Sequence, residues 1–213
     1  MNPICQVINV NKSYHQHRVL EGVSLAIEPG EMVAVMGPSG SGKSTLLNII
    51  GMLEKPESGE IKLFGKSIPS PHSQGALHLL RDRIAYLFQN FALIEQATIE
   101  ANLEIPLLYQ NMSREKRKKM KEAALAEVGL SLPLKQHIYE LSGGEQQRVA
   151  IARILLKKCD FILADEPTGS LDEKNRDEIL ILLKQLNDKG KTLMIVTHDP
   201  VVAQACSRTI YLS

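Results

Sequence analysis

Gly37-Pro38-Ser39-Gly40-Ser41-Gly42-Lys43-Ser44-Thr45 follows the apolar run Met32-Val33-Ala34-Val35-Met36 and precedes Leu46-Leu47-Asn48-Ile49-Ile50. The stretch fits the phosphate-binding loop G-x-x-x-x-G-K-[ST], with Gly37, Gly42, Lys43 and Ser44 at the fixed positions. Its flanks supply the strand before and the helix after that the motif requires. Glycines let backbone N–H groups turn inward around a polyphosphate, and the helix start adds its positive dipole end. Lys43 offers a point charge to the outer phosphates, and the Ser44 hydroxyl is placed to ligate Mg²⁺. A Gly/Ser-rich turn with a chance lysine would not need both flanks as well.

The composition narrows little beyond this. A chain of 213 residues is one domain or one core with a subdomain. At 44% hydrophobic and 23% charged it reads as an ordinary globular protein. A formal net charge of +1 gives no general reason to bind nucleic acid or an anionic membrane. No apolar run approaches the roughly 20 residues needed to cross a bilayer, and no signal-peptide pattern opens the chain. Cys5, Cys159 and Cys206 lack metal-ligand spacing and read as reduced, half-buried thiols, so the expected location is cytoplasmic.

Outward from the loop, residues Ile4 to Tyr14 and Val19 to Ile27 read as strands joined by a turn over His15 to Arg18. Pro56 to Gly59 turns the chain into a strand at Glu60 to Phe64. A short helix over Gly75 to Arg81 leads to the strand Ile84 to Phe88. Beyond Gln89 the pattern turns helical. Thr98 caps a helix carrying Ile99, Leu103 and Leu107, which Pro106 should kink or end. Ser113 caps a second, with Met120, Ala124 and Val128 in register and Gly129 at its end. Its basic run (Arg114, Lys116, Arg117, Lys118, Lys119, Lys121) is a patch for anionic partners or a solvated face. The absence of interleaved aromatics favours the solvated face. A helical subdomain over residues 90–156 follows, within a single domain whose catalytic core and β subdomain occupy 1–89 and 157–213. The last third alternates strand (Phe161 to Ala164), helix (Ile179, Leu182, Leu183, Leu186) and strand (Lys191 to Val196), the mark of a buried parallel sheet.

Asp165-Glu166 directly follows the apolar strand Phe161 to Ala164. A parallel strand delivers its C-terminal end to the ligand edge of the sheet, where the phosphate loop also sits. Asp165 is placed there to hold Mg²⁺ through water, and Glu166 to polarise an attacking water. Two loop acids capping a helix would give the same dipeptide. Leu141-Ser142-Gly143-Gly144-Glu145-Gln146-Gln147 combines an N-cap serine with two glycines at a helix start, a second anion site or a plain capping motif.

Taken together, these motifs resemble the nucleotide-binding subunits of ATP-binding-cassette (ABC) transporters, and the resemblance covers essentially the whole chain. Gly37 to Thr45 matches Walker A, Phe161 to Glu166 Walker B, and Leu141 to Gln147 the signature. Gln89 matches the Q-loop, Ser170-Leu171-Asp172 the D-loop and His198 the switch histidine. Tyr14 falls where the family stacks an aromatic on adenine. By residue pattern alone His198 is a loop histidine and Tyr14 a strand-end residue. The resemblance implies an α/β P-loop NTPase (RecA-like) core with a parallel sheet, an N-terminal antiparallel β subdomain and an inserted α-helical signature subdomain. It implies ATP hydrolysis with Glu166, His198 and Lys43 catalytic. Nucleotide contacts would come from Tyr14, Gly37, Pro38, Ser39, Gly40, Ser41, Gly42, Lys43, Ser44, Thr45, Gln89, Ser142, Gly143, Gly144, Glu145 and Asp172. Ser44, Gln89 and Asp165 would hold Mg²⁺.

The implied partners are a second copy in an ATP-dependent head-to-tail dimer and a separate transmembrane permease subunit, at the cytoplasmic face of a membrane, with no nucleic acid. Leu46 to Gly51 and Leu141 to Arg153 look like the MacB/LolD/FtsE-type group, which serves export, lipoprotein release or cell-division signalling. The last of these is an alternative without transport. A P-loop kinase would have no use for Leu141 to Gln147, and DNA-repair relatives carry long insertions between the motifs. No regulatory domain is expected after Thr209 to Leu212. Phe91, Leu93 and Ile94 beside Gln89 form a partner surface if exposed and core if buried.

Overall fold

The computed structural model describes residues 2–212. Strands β1 (Cys5–Tyr14), β2 (His17–Ile27), β4 (Ser58–Leu63) and β5 (Lys66–Ser67) form an antiparallel sheet in the order β2-β1-β4-β5. Strands β3 (Met32–Met36), β6 (Ile84–Leu87), β7 (Phe161–Asp165), β8 (Thr192–Val196) and β9 (Arg208–Tyr211) form a parallel sheet in the order β6-β7-β8-β3-β9. The helices are α1 (Lys43–Ile50), α2 (Gln74–Asp82), α3 (Ile99–Glu104), α4 (Arg114–Glu127), α5 (Gly143–Leu155), α6 (Glu173–Asp188) and α7 (Pro200–Gln204). Every connection within the second sheet crosses over through other elements, as parallel pairing demands. Among the described residues no helix is long and apolar enough to cross a membrane.

Strand period decides where the chemistry points. Alternate residues of the parallel sheet enter two hydrophobic clusters. Val33, Val35, Phe161, Leu163, Met194 and Val196 pack with α1 and the antiparallel sheet. Ala85, Leu87, Ile162, Ala164, Leu193 and Ile195 pack with α3, α4 and α5. Asp165 continues the Phe161–Leu163 row, so its carboxylate emerges on the α1 side, beside the phosphate loop. The helical segment shares its core with the sheet rather than forming a separate one.

Local expectations hold with small shifts. Thr98, Ser113 and Ser142 cap their helices, each hydroxyl accepting a backbone N–H. Pro106 ends α3 in a 3₁₀ turn. The β1–β2 turn is only His15-Gln16, because Tyr14 pairs with His17 and Ser13 with Arg18. Helix α7, capped by Asp199, was too short to show a period. Cys5 and Cys159 are fully buried rather than half-buried, and burial pushes the Cys5 thiol up to about 12.

The solvated-face reading of the basic run on α4 holds for Lys118 and Lys119, which pair with Glu122 and Glu115 one turn away. It fails for Lys121. That side chain is 3% exposed and its ammonium donates to Glu100 (3.0 Å) and Glu104 (2.9 Å) of α3, while Arg117 reaches Glu104 at 2.5 Å. The helix turns these two cations inward because α3 presents carboxylates there, which no periodicity within α4 could reveal.

Candidate functional site

Every described α-helix except α1 has its first-turn amides met by a side-chain cap: Ser73, Thr98, Ser113, Ser142, Asp172 and Asp199 serve the others. Helix α1 starts at Gly42, with no side-chain cap and no acidic residue in its first turn. Its orphan N–H groups and positive end face a cleft of about 440 Å³. Tyr14, His17, Val19, Ser39, Gly40, Gly42, Lys43, Ser44, Thr45 and Glu166 line it. Gly42 has φ +82, and a Cβ there would lie 2.6 Å from the Val19 carbonyl, so only glycine serves.

The groups in the loop fit a polyphosphate with a divalent cation. Lys43 is 9% exposed, and its ammonium donates only to the carbonyls of Gly37 (2.9 Å) and Pro38 (2.8 Å). A buried cation facing carbonyls, without a carboxylate, calls for an anion. The Ser41 hydroxyl is buried with no partner among the described residues. The Ser44 hydroxyl donates to Asp165 Oδ1 at 3.0 Å, which joins α1 to the end of β7. Burial pushes the Asp165 carboxyl above its ordinary value; the Glu166 charge adds to this, and the Ser44 hydrogen bond and Lys43 oppose it. Two adjacent carboxyls and a hydroxyl form an oxygen donor set suited to Mg²⁺.

Glu166 stands at the head of β7 in the left-handed region, φ +43, which non-glycine residues seldom adopt. Its amide donates to the Val196 carbonyl (2.9 Å), and its carboxylate oxygen lies 2.8 Å from His198 Nδ1. The His198 side chain is 71% exposed, so this contact is its chief restraint. Gln89 lies on the other side of Asp165, lining a recess with Phe88, Asn90, Phe91, Asp165 and Ser170. Asp165 lines this recess and links it to the cleft through its hydrogen bond from Ser44, a residue of the cleft lining.

Tyr14 sits at the rim of the cleft. Its hydroxyl donates to both carboxylate oxygens of Glu54 (2.6 Å each), and Lys12 pairs with Glu54 at 3.0 Å. Lys12 also lies 5.2 Å from the Tyr14 ring centre. Burial would raise the Glu54 carboxyl, but the hydrogen bonds from Tyr14 and Lys12 hold it below the ordinary value. Sequence reading missed Glu54, which lies in the turn after α1 and carries no motif signal. It also missed His17 and Val19 of the lining.

Ser142, Gly143, Gly144 and Glu145 lie outside the lining of this cleft. Ser142 and Glu145 form a capping box: the Glu145 carboxylate accepts from the Ser142 amide (2.8 Å) and hydroxyl (2.7 Å). These bonds hold the Glu145 carboxyl low. Asp172 caps α6, accepting from the Asn175 amide and side chain at 2.8 Å each. Within one chain, both carboxylates hold backbone rather than line the phosphate cleft.

Of the expected partner surface, Ile94 is 54% exposed, whereas Phe91 and Leu93 pack against the core. The Arg153 guanidinium donates to the Ala92 (2.7 Å) and Phe91 (3.1 Å) carbonyls, whose residues both have positive φ. Arg153 also lines a groove of about 390 Å³ with Arg81, Tyr86, Ile105, Tyr109 and Lys157. Ile105, Leu108 and Tyr109 are exposed at its edge, an apolar cluster missed in the sequence.

A family model described as ABC transporter matches residues 20–169. The macrolide export ATP-binding/permease protein MacB of Salmonella typhimurium strain LT2 is 42% identical over 99% of this chain. MacB of Escherichia coli K12 is 41% identical over the same share. Each alignment takes in 33% of MacB, so the chain spans about a third of the length of the curated relatives it matches. Among solved structures, the dimeric ATP-binding cassette MJ0796 in a post-hydrolysis state with ADP and Pi aligns with a TM-score of 0.90 and 43% identity. That alignment covers 98% of this chain and 94% of the other. The cassette cbiO1 of Clostridium perfringens, part of the ABC transporter complex cbiONQ, aligns with a TM-score of 0.88 and 29% identity. It covers 100% of this chain and 86% of the other.

Proposed function

The chain belongs to the ABC transporter family, and from that membership we propose that it binds and hydrolyses ATP to drive a transmembrane permease in export or extraction. The observation that carries this reading is the uncapped start of α1, where the buried Lys43 ammonium meets only carbonyls and the Ser44 hydroxyl bonds Asp165. Residues 37 to 45 hold the phosphates: loop and α1 amides bond their oxygens, and Lys43 exchanges its carbonyl partners for them. Tyr14 offers its ring to the adenine. Ser44 and Asp165, with Gln89 beside them, would hold Mg²⁺, which supplies charge neutralisation on the phosphates. Glu166 takes the proton of the attacking water. His198 aims that carboxylate through its 2.8 Å contact and stands exposed toward the terminal phosphate.

A second copy completes each site with Ser142, Gly143 and Gly144, while Glu145 and Asp172 fix the segments that meet the nucleotide. This is supported by the position of the signature outside its own chain's cleft and by the dimeric state of the MJ0796 cassette. Twofold symmetry then makes two equal sites. The permease docks where Ile94, Ile105, Leu108 and Tyr109 are exposed, so the chain works at the cytoplasmic face of a membrane. The macrolide-export name of its MacB relatives supports export over import. The test is Glu166→Gln. ATP titration should be unchanged, turnover should fall by about 10²–10⁴-fold, and an ATP-dependent dimer should appear in size-exclusion chromatography. Wild-type turnover in this variant would remove Glu166 as the base.

A further inference from the structure

Helix α5 buries Val149, Ala150, Ile151, Ala152 and Ile154, and among them the side-chain amide of Gln147, which is 0% exposed. Its Nε2 donates to the carbonyl of Pro167 at 2.6 Å, and its Oε1 has no partner among the described residues. An amide buried with half its capacity unused costs stability, so packing alone does not account for it. Pro167 is the residue after Glu166. Besides the His198 contact, the backbone of the turn carrying Glu166 has three anchors: the Glu166 amide on Val196 of β8, the Gly169 amide on the Glu166 carbonyl (3.1 Å), and Gln147 on the Pro167 carbonyl. Only the third comes from the helix that begins with the signature.

The same face of α5 is locked to its neighbours at two further points. A Cβ on Gly144 would fall 2.3 Å from Asn175 Oδ1, so α6 lies directly on the signature backbone, and Arg148 pairs with Glu178 of α6. Any shift of the signature is therefore carried along α5 as a rigid body.

We infer that Gln147 is a positioning residue that couples the two ATP sites: it transmits the engagement of this chain's signature by the second copy's nucleotide to this chain's own Glu166. The inference rests on the two-copy reading above. Gln147 is fully buried and lies outside the lining of the cleft; it acts by holding the Pro167 carbonyl, and through it the left-handed Glu166, in register with α5. Coupling between two sites appears as cooperativity, with a Hill coefficient of up to about 2 for two sites.

The experiment measures ATPase rate against ATP concentration for wild type, Gln147→Leu and Gln147→Met, with thermal melting and nucleotide titration alongside. Leu fills a similar volume and Met matches the side-chain length, and both remove the donor together with the unpartnered acceptor. The wild type should be cooperative. Each variant should fall to a Hill coefficient of about 1, with lower kcat and nucleotide affinity within about twofold of wild type. Variants that melt early yet stay cooperative, that match wild type throughout, or that both fail to fold would make Gln147 a structural residue and overturn the inference alone. A wild type that is non-cooperative and stays monomeric with ATP would overturn the two-copy reading, and the inference with it.

Discussion

Removing the Tyr14 ring should weaken binding of ATP while leaving binding of inorganic tripolyphosphate unchanged. The structure sets the size of the effect. Tyr14 is 43% exposed, so more than half of its surface is already covered by the chain, and the open part lies on the cleft. Stacking of a base on an aromatic is worth about 1–3 kcal/mol by alanine substitution. A ring at the rim should deliver the lower part of that range, about 1–2 kcal/mol, or roughly 5- to 30-fold in Kd. Glu54 enters only through Tyr14: its carboxylate receives the phenol at 2.6 Å and keeps the ring from turning away. Freeing one such side chain costs about 0.5–1.5 kcal/mol on binding, so Glu54→Ala should weaken ATP about 2- to 10-fold. Because both act through one ring, the double variant Tyr14→Ala/Glu54→Ala should match Tyr14→Ala alone rather than the sum. Isothermal titration of ATP and of tripolyphosphate against the four proteins reads all of this. Equal loss for both ligands would place Tyr14 in the phosphate site or in the fold. Additive losses would mean that Glu54 acts independently of the ring.

Lys43→Ala should weaken ATP and tripolyphosphate alike, because the ammonium faces only carbonyls and has phosphate as its missing partner; an unchanged titration would contradict that role. In the buried cluster of α3 and α4, Lys121→Met leaves Glu104 with Arg117 and leaves the 40%-exposed Glu100 to water, so urea unfolding should shift by about 0–1 kcal/mol. Glu104→Gln instead leaves the buried Lys121 with Glu100 alone and the half-buried Arg117 with no carboxylate, only the Gln110 carbonyl, and should cost about 2–4 kcal/mol; the opposite order would refute the reading. Burial acts to raise the Glu104 carboxyl, but Lys121 and Arg117 hold it below its ordinary 4.5. Its contribution is therefore present above that pH and lost as pH falls through the depressed value, and Glu104→Gln should flatten this acid limb.

The sequence made one half of this site readable and obscured the rest for a physical reason. Gly37 to Thr45 is a continuous segment whose residue types answer directly to phosphate geometry, and the period-two burial of β7 was enough to put Asp165 at its side. Contacts that join distant segments through ordinary residue types leave no such trace. Glu54 beneath Tyr14, Lys121 between two glutamates and Arg153 on the Phe91 and Ala92 carbonyls each depend on a partner 17 to 62 positions away, and a helix or strand period records only which face is apolar. The α4 cations show the consequence. Their pattern was read correctly as a polar stripe, but whether that stripe met water or α3 was decided by residues outside it.

The capping pattern turns the same limitation into an argument about assembly. A signature serine at a helix start has an ordinary explanation, and the structure supports it: Ser142 caps α5 and Glu145 completes the box. Capping does not explain the exposed Gly143 or the buried Gly144 packed beneath Asn175, since a capping box needs neither glycine. Helix α1 presents the reverse case, with amides left open and glycines wherever a side chain would obstruct the loop. Thus one helix start is finished within the chain and the other is left for a ligand. The finished one is exposed, rigidly mounted on α6 and tied through Gln147 to the turn of Glu166. A surface of that construction suits docking onto a nucleotide already held elsewhere, the role proposed for a second copy's α1 cleft, and the similar MJ0796 cassette is dimeric.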